Sequence, residues 1–345
     1  MFFLATGLLA TGQFTFRYPE KATADAPATE TLSSTLFQQQ IKFPRDTSYT
    51  PYSTYQKLIK QYPGISIASP APSAQIQCLT DVPYVTIENA SLGPRKLLLD
   101  IYRPTYPGPH PAILMIHGGG WSSGDKRMQR PLAIELAKRG YVAVCVEYRL
   151  SPEAQYPAAI HDIRQAIRFV RQHHQAYDAD PAKIALSGCS AGGHLAALTG
   201  LSAHSGKYSI AGEDTTVSTL VQAVIDIDGV LDFTHPAESG KDTDPTKISV
   251  GARWLGFTYA ANPARWVEAS PLTYADGKSP PMLFINSSIP RFHAGRDEVV
   301  QILKQHGIYA EIHTLAGSPH AFWLFHPWFD PTVDLMAGFL KKVFN

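Results

Sequence analysis

The stretch Ile184-Ala185-Leu186-Ser187-Gly188-Cys189-Ser190-Ala191-Gly192-Gly193-His194-Leu195-Ala196-Ala197-Leu198 sets how the rest of the chain is read. A short apolar run leads into a G-x-S-x-G turn, and a helix-like stretch leaves it. Strand, sharp turn and helix in that order force the central serine into a strained backbone geometry and expose its hydroxyl at a sheet edge. Glycines 188 and 192 matter because a side chain at either would collide with the neighbouring strand or helix. Ser190 is therefore the candidate nucleophile.

Strands and helices alternate around this turn. From about residue 81, residues 84–87 and 96–102 read as an opening pair of strands. Residues 112–116 form a continuous apolar run, which suits a strand buried on both faces. A helical pattern at 132–139 ends at Gly140, and 141–146 is the next buried strand. Residues 158–173 are amphipathic, with Ile160, Ile163, Ile167 and Val170 on one face. Strands follow at 221–227, 282–285 and 310–315, and helices at 298–306 and 333–343. This spacing predicts an α/β fold: a mostly parallel central sheet with helices on both faces and right-handed crossovers. Residues 230–280 break the rhythm with His235-Pro236, Lys241-Asp242-Thr243-Asp244, Trp254 and Trp266. They read as a small cap insertion over the strand tips, where open α/β sheets bind ligands.

The chain has 345 residues, 44% of them hydrophobic, enough for one large α/β domain with insertions or for two smaller domains. Its net charge is +1 and the charges are dispersed, so neither nucleic acid nor an anionic membrane is an expected partner. Residues 1–12 begin Met1-Phe2-Phe3-Leu4 and end Ala10-Thr11-Gly12. They are too short to span a bilayer and read as a signal peptide whose positive first region is missing. Export to the periplasm or medium is expected, with a cytoplasmic location if the segment is not a signal. Residues 13–80, rich in Thr, Ser, Pro, Gln and Ala, read as an extended arm before a catalytic domain at 81–345; the arm either stands apart or covers the site. Cys78, Cys145 and Cys189 have no metal spacing, and their odd number gives no disulfide framework, although Cys78 could form one bridge in an exported protein.

A hydroxyl is a poor nucleophile at neutral pH and needs a base, an orienting acid and an oxyanion site. His320, in Gly317-Ser318-Pro319-His320, follows the last strand, the expected place for the base in the order serine, acid, histidine. His117-Gly118-Gly119-Gly120-Trp121 follows the strand at 113–116 directly. Its glycines expose backbone N–H groups, so Gly119 and Gly120, with Ala191 after the nucleophile, are the candidate oxyanion donors. Trp121 either lines the pocket or packs. The acid is harder to place. Its usual position, Ile285-Asn286-Ser287-Ser288-Ile289-Pro290, holds no carboxylate. Asp228, at the end of the preceding strand, is favoured; Asp297, in Gly295-Arg296-Asp297-Glu298, is the alternative. Asp226 shares a face with Asp228 one step deeper and stays a third candidate. No phosphate-binding glycine motif follows a strand, and no histidine pair has metal-ligand spacing on a helix, so neither cofactor nor metal is expected.

The motifs just quoted, with Glu147-Tyr148-Arg149-Leu150-Ser151-Pro152 and Tyr156-Pro157-Ala158-Ala159, resemble the α/β-hydrolase superfamily. The likeness covers roughly 81–345 and is nearest to the hormone-sensitive-lipase-like and bacterial carbohydrate-esterase branches. It implies serine ester hydrolysis. The segment 286–290 and Phe322-Trp323-Leu324-Phe325-His326-Pro327-Trp328 resemble bacterial esterases of plant cell-wall polysaccharides, pectin included. The resemblance also supports Asp228, since some lipases of the superfamily carry the acid after the preceding strand. Arg291 and Arg296 stand where the acid usually does, and their forked guanidinium groups suit a uronate carboxylate, unless they pair with Asp297 and Glu298. Trp254, Trp266, Trp323 and Trp328 are candidates to stack on sugars or to pack in the core. The expected substrate is thus an esterified oligosaccharide carrying acetyl, methyl or feruloyl groups, with pectin favoured, or a small ester. The rivals are a general short-chain carboxylesterase, a serine peptidase of the same fold and an inactive binding module.

Overall fold

The apolar runs become the inner strands of a sheet covered on both faces, because each has no polar side to offer water. The computed structural model describes residues 16–17, 46–88, 90, 93–210, 212–240 and 248–345. Strand β1 (Phe16–Arg17) precedes helix α1 (Pro51–Leu58) and strands β2 (Ser66–Ile67), β3 (Ile76–Ile87), β4 (Arg95–Pro104) and β5 (His110–Ile116). Then come α2 (Arg130–Lys138), β6 (Val142–Val146), α3 (Ala158–Gln172), β7 (Ala179–Cys189), α4 (Ala191–Leu201) and β8 (Ala223–Ile227). The cap region holds α5 (Pro236–Ser239), α6 (Val250–Leu255) and α7 (Pro263–Glu268). The chain finishes with β9 (Met282–Asn286), α8 (Arg296–Gln305), β10 (Ala310–Thr314), β11 (Phe325–His326) and α9 (Phe329–Phe344).

The main sheet runs β1-β3-β4-β6-β5-β7-β8-β9-β10. It is antiparallel from β1 to β6 and parallel from there on. Side chains alternate between two cores. Leu114, Ile116, Val144 and Val146 meet Ile160, Ile163 and Leu195 of α3 and α4. Ile113, Met115, Ala143 and Cys145 meet Leu132, Leu136, Met336 and Phe339 of α2 and α9. This two-residue period is the pleat of the strands themselves. Helix α9 starts before Val333, the first residue of the helix read from sequence, because Pro331 falls in its first turn, where proline is tolerated.

Residues 1–12, read as a signal, lie outside the described residues, as does Lys241-Asp242-Thr243-Asp244. Strand β3 crosses the expected arm boundary at 80. Earlier still, Thr50 and Ser53 cap α1 reciprocally, and β2 pairs antiparallel with β11. Each cap helix is opened by its own side chain: His235, Ser249 and Asn262 accept from Ala237, Ala252 and Arg265 N–H groups. Of the two readings open for the tryptophans, stacking on sugars or packing, the structure takes packing. Trp254, Trp266 and Trp323 are fully buried, and the half-buried Trp328 packs edge-on against Tyr62. All three cysteines are free, with Cys78 exposed. No helix of the described residues is long and apolar enough to cross a membrane.

Candidate active site

Parallel strands bring their C-terminal ends to one edge, and the register sets what meets there. Cys189 of β7 pairs with Ile227 of β8, and Ile227 pairs with Ile285 of β9. Ser190, Asp228 and Asn286 therefore stand side by side, one step beyond the paired residues. Ser190 has φ 57° and ψ −122°, the strained elbow expected of a nucleophile between strand and helix. A Cβ at Gly188 would run into the Gly192 carbonyl, and one at Gly192 into the Ile116 carbonyl of β5. The elbow closes this tightly only with glycine at both positions.

His320 follows β10 and meets both partners. Its Nε2 is 2.9 Å from Ser190 Oγ, and its Nδ1 is 2.9 Å from Asp228 Oδ2. A carboxylate only accepts, so Nδ1 carries the proton and Nε2 is left to accept from the serine hydroxyl. Asp228 is fully buried, and its other oxygen accepts from Ser287 N–H at 2.7 Å. Phe292 stacks on the imidazole with ring centres 3.9 Å apart and planes within 6°, and Trp323 meets it edge-on at 5.1 Å. One polar edge of the ring is thus fixed by Asp228 and its faces by aromatic rings, leaving Nε2 aimed at Ser190.

The loop after β9, which lacks the usual carboxylate, has become the brace for this arrangement. Ser287 supplies the N–H to Asp228, and Asn286 Nδ2 donates to the Phe292 carbonyl at 3.1 Å. Arg296 donates to Asn286 Oδ1 at 3.0 Å and to Asp297 at 2.8 Å. Arg291 pairs with Glu238 of α5, at 3.0 Å for Nη2, and lies over Phe292. Both arginines expected to bind a uronate are therefore committed to protein carboxylates and an amide. This corrects the substrate-binding expectation for them. Asp297 has a largely exposed side chain in the first turn of α8, and Arg296 beside it holds its carboxyl below the usual range. The structure does not bring it to His320.

Asp226 is close to the site yet behaves unlike Asp228. Its Oδ1 accepts from Gly229 N–H at 2.9 Å, while Oδ2 has no partner among the described residues. Burial pushes this carboxyl up to about 8; the Gly229 N–H and Arg296 oppose the rise, and the Asp228 charge adds to it. A carboxyl that keeps its proton at neutral pH is poorly suited to stabilise an imidazolium.

The glycine turn after β5 abuts the elbow. A Cβ at Gly118 would contact Ser190 Cβ. Gly119 and Gly120 have φ of 121° and 57°, and the Gly119 carbonyl accepts from Ser122 and Ser123 N–H and from the Ser123 hydroxyl. The backbone N–H groups of Gly119, Gly120 and Ala191 donate to no group among the described residues. Trp121 turns away from the site. Its ring is buried and stacks on Trp254 at 5.2 Å, and its Nε1 donates to His194 Nδ1 at 3.2 Å. His194 in turn donates from Nε2 to the Ala269 carbonyl at 2.8 Å, and burial lowers its pKa to about 4. The expectation that Trp121 binds substrate is thus corrected: ring and N–H are both spent in the core beneath the cap.

Sequence reasoning missed the contributions of Phe292 and the Ser287 N–H. The only signal was the missing carboxylate itself. It also left open the role of the arm, which holds both site loops. Asp46 N–H donates to the Ser122 carbonyl at 3.1 Å, and Ala68 N–H donates to the Leu324 carbonyl at 2.9 Å.

With this geometry in hand, likeness to known proteins can be stated. The BD-FAE family matches residues 99–310. The probable carboxylic ester hydrolase LipM of Mycobacterium tuberculosis is 33% identical over 235 residues, covering 65% of this chain and 53% of that protein. The chain spans about half the length of the mycobacterial relatives LipM and LipQ. Among solved structures, the thermophilic esterase Est2 of the Planctomycetes species Thermogutta terrifontis, with propionate bound, matches at TM-score 0.62 and 27% identity. That match covers 78% of this chain and 95% of Est2. A truncated carbohydrate esterase from gut microbiota matches at TM-score 0.62 and 23% identity, over 79% of this chain and 100% of the other, a likeness of fold.

Proposed function

The chain belongs to the BD-FAE family and has the α/β-hydrolase fold, and from this premise we propose that it is a serine carboxylic-ester hydrolase. The observation that carries the reading is the unbroken relay from Ser190 Oγ through His320 to Asp228, with 2.9 Å at both steps.

In this mechanism Ser190 Oγ attacks the ester carbonyl carbon as His320 Nε2 takes its proton. Asp228 keeps the Nδ1 proton in place and stabilises the imidazolium. The N–H groups of Gly119, Gly120 and Ala191 receive the negative oxygen of the tetrahedral intermediate. Collapse breaks the bond to the alcohol oxygen, which leaves with the proton from Nε2. Water then adds to the acyl-enzyme by the same route in reverse, releasing the acid and restoring Ser190. The relation to propionate-bound Est2 supports a short acyl group. The uronate case for pectin weakens, because Arg291 and Arg296 are paired within the protein; a general short-chain ester or a neutral glycosyl ester fits better.

The test is hydrolysis of 4-nitrophenyl acetate by the wild type and by Ser190→Ala. The variant should lose on the order of 10⁶ in kcat, the scale of deleting a triad nucleophile. Retained activity in the variant would remove Ser190 from the mechanism.

A further inference from the structure

His320 is held by a hydrogen-bonded edge and a covered face, and the ring that covers it is anchored in the cap. Phe292 lies on the imidazole with centres 3.9 Å apart and planes within 6°. Neutral aromatic pairs usually sit farther apart, from about 4.5 Å outward, because their electron-rich faces repel. A cation reverses that preference, since the face of a phenyl ring attracts positive charge. His320 is cationic only while Nε2 holds a proton in transit, from Ser190 in acylation and from water in deacylation. The contact is then stronger in the transition state than in the resting enzyme, the condition under which a contact raises kcat.

The placement of this ring reaches beyond its own loop. Phe292 belongs to the single turn Pro290–His293. The Phe292 carbonyl accepts from Asn286 Nδ2 at 3.1 Å, and His293 Nε2 lies 3.0 Å from the Ser287 carbonyl. These bonds hold the backbone of the turn. Arg291 holds the ring from outside: its guanidinium carbon lies 5.0 Å from the Phe292 ring centre. The same guanidinium forks onto Glu238 of α5, through Nη2 to Oε2 at 3.0 Å and through Nε to Oε1. Glu238 is buried, whereas the Arg291 side chain is 37% exposed. The cap carboxylate thus fixes the direction of the guanidinium. It also supplies the negative charge that lets two cations, Arg291 and the transient imidazolium, lie near one ring.

We propose that Phe292 is a positioning residue for the base, a ring face that steadies the imidazolium of His320, and that Glu238 in the cap acts on the reaction through it. The loop that lost the usual carboxylate still serves the histidine, on its face instead of its Nδ1 edge. The proposal rests on the ester-hydrolase reading and adds a link from cap to base.

The test follows 4-nitrophenyl acetate hydrolysis and the rate of fluorophosphonate capture, with melting temperatures recorded. The proteins are the wild type, Phe292→Leu, Phe292→Tyr, Glu238→Gln and the double variant Phe292→Leu/Glu238→Gln. Phe292→Leu should lower kcat about tenfold, the scale of one ring contact to a partly desolvated cation. KM should stay unchanged, and capture should slow in step with kcat. Phe292→Tyr keeps the ring face and should stay within about twofold of the wild type. Glu238→Gln should cost about threefold in kcat, the scale of a partly exposed ion pair. The double variant should be no slower than Phe292→Leu alone, because Glu238 has nothing to act on once the ring is gone. An unchanged kcat in Phe292→Leu, an equal loss in Phe292→Tyr, or a loss carried by KM overturns the role of the ring. An unchanged kcat in the near-isosteric Glu238→Gln, or losses that multiply in the double variant, overturns the link to the cap. A wild type that neither cleaves the ester nor is captured counts against the esterase reading itself.

Discussion

The catalytic edge of the sheet is closed and fully bonded, whereas a cleft beyond the glycine turn is open and assembled from separate segments. At the edge, Asp228 spends both oxygens, on Ser287 and on His320, and each reacting residue stands one step past a strand or in the loop after it. In the cleft, Asp46, Ser151 and Arg253 come from three stretches far apart in the chain. The contrast separates the groups that react from the walls around them. A fixed edge lets one geometry serve any acyl group, and none of Ser190, His320 and Asp228 lines the cleft. Changes at the edge should therefore reduce kcat by orders of magnitude, and changes in the cleft should spare it.

The largest effect that sharpens this contrast is at the acid. Asp228→Asn should lower kcat on 4-nitrophenyl acetate by about 10⁴, as neutralising a triad carboxylate does. Asp297→Asn should leave it unchanged. If the loss follows Asp297, the edge is not organised as described. Next is the glycine turn. A Cβ at residue 119 would strike the Ser123 carbonyl at a φ that side chains rarely adopt. Gly119→Ala should cost about 10²–10³ in kcat, the scale of one lost oxyanion donor, with the melting temperature recorded beside it.

The smallest effect concerns Asp226, the one carboxyl at the edge that is not fully bonded. Its ordinary value is 3.8 and its folded value about 8. Between these pH values the unfolded chain has released the proton and the folded protein still holds it. Folding thus takes up a proton, and this residue makes stability fall as pH rises from about 4 to about 8. Asp226→Asn removes that slope. Thermal melts should coincide at the acid end of the window, and the variant should melt several degrees higher at its alkaline end. A wild type whose stability follows the variant across the window would show that Asp226 ionises freely.

Much of the edge was legible in the sequence because each part of it is local. The elbow needs glycines at 188 and 192, the glycine turn needs its triplet, and His320 sits at a fixed distance past a short strand. Asp228 was favoured for the same reason, as a strand-tip residue. What was not legible depends on pairings across the fold. Arg291 looked like a ligand-binding fork because Glu238, its partner in space, lies 53 residues away; for Arg296 the pairing with Asp297 was readable as the alternative, and only its bond to Asn286 depends on the fold. Trp121 looked like a pocket wall because nothing local reveals that Trp254 and His194 enclose it. Phe292 was passed over because a ring beside an arginine carries no pattern, and only the fold lays it on His320. The arm read only as an extended segment because its bonds to Ser122 and Leu324 are backbone bonds, indifferent to side-chain type.

The most direct measurement is the site of covalent capture. The wild type is treated with a fluorophosphonate at neutral pH, its intact mass is recorded, and the modified peptide is sequenced by mass spectrometry. A single adduct on Ser190, slowed in step with kcat by Asp228→Asn and absent from Ser190→Ala, is the predicted result. An adduct on another residue, or none on the folded wild type, would contradict a nucleophile activated by His320 and Asp228.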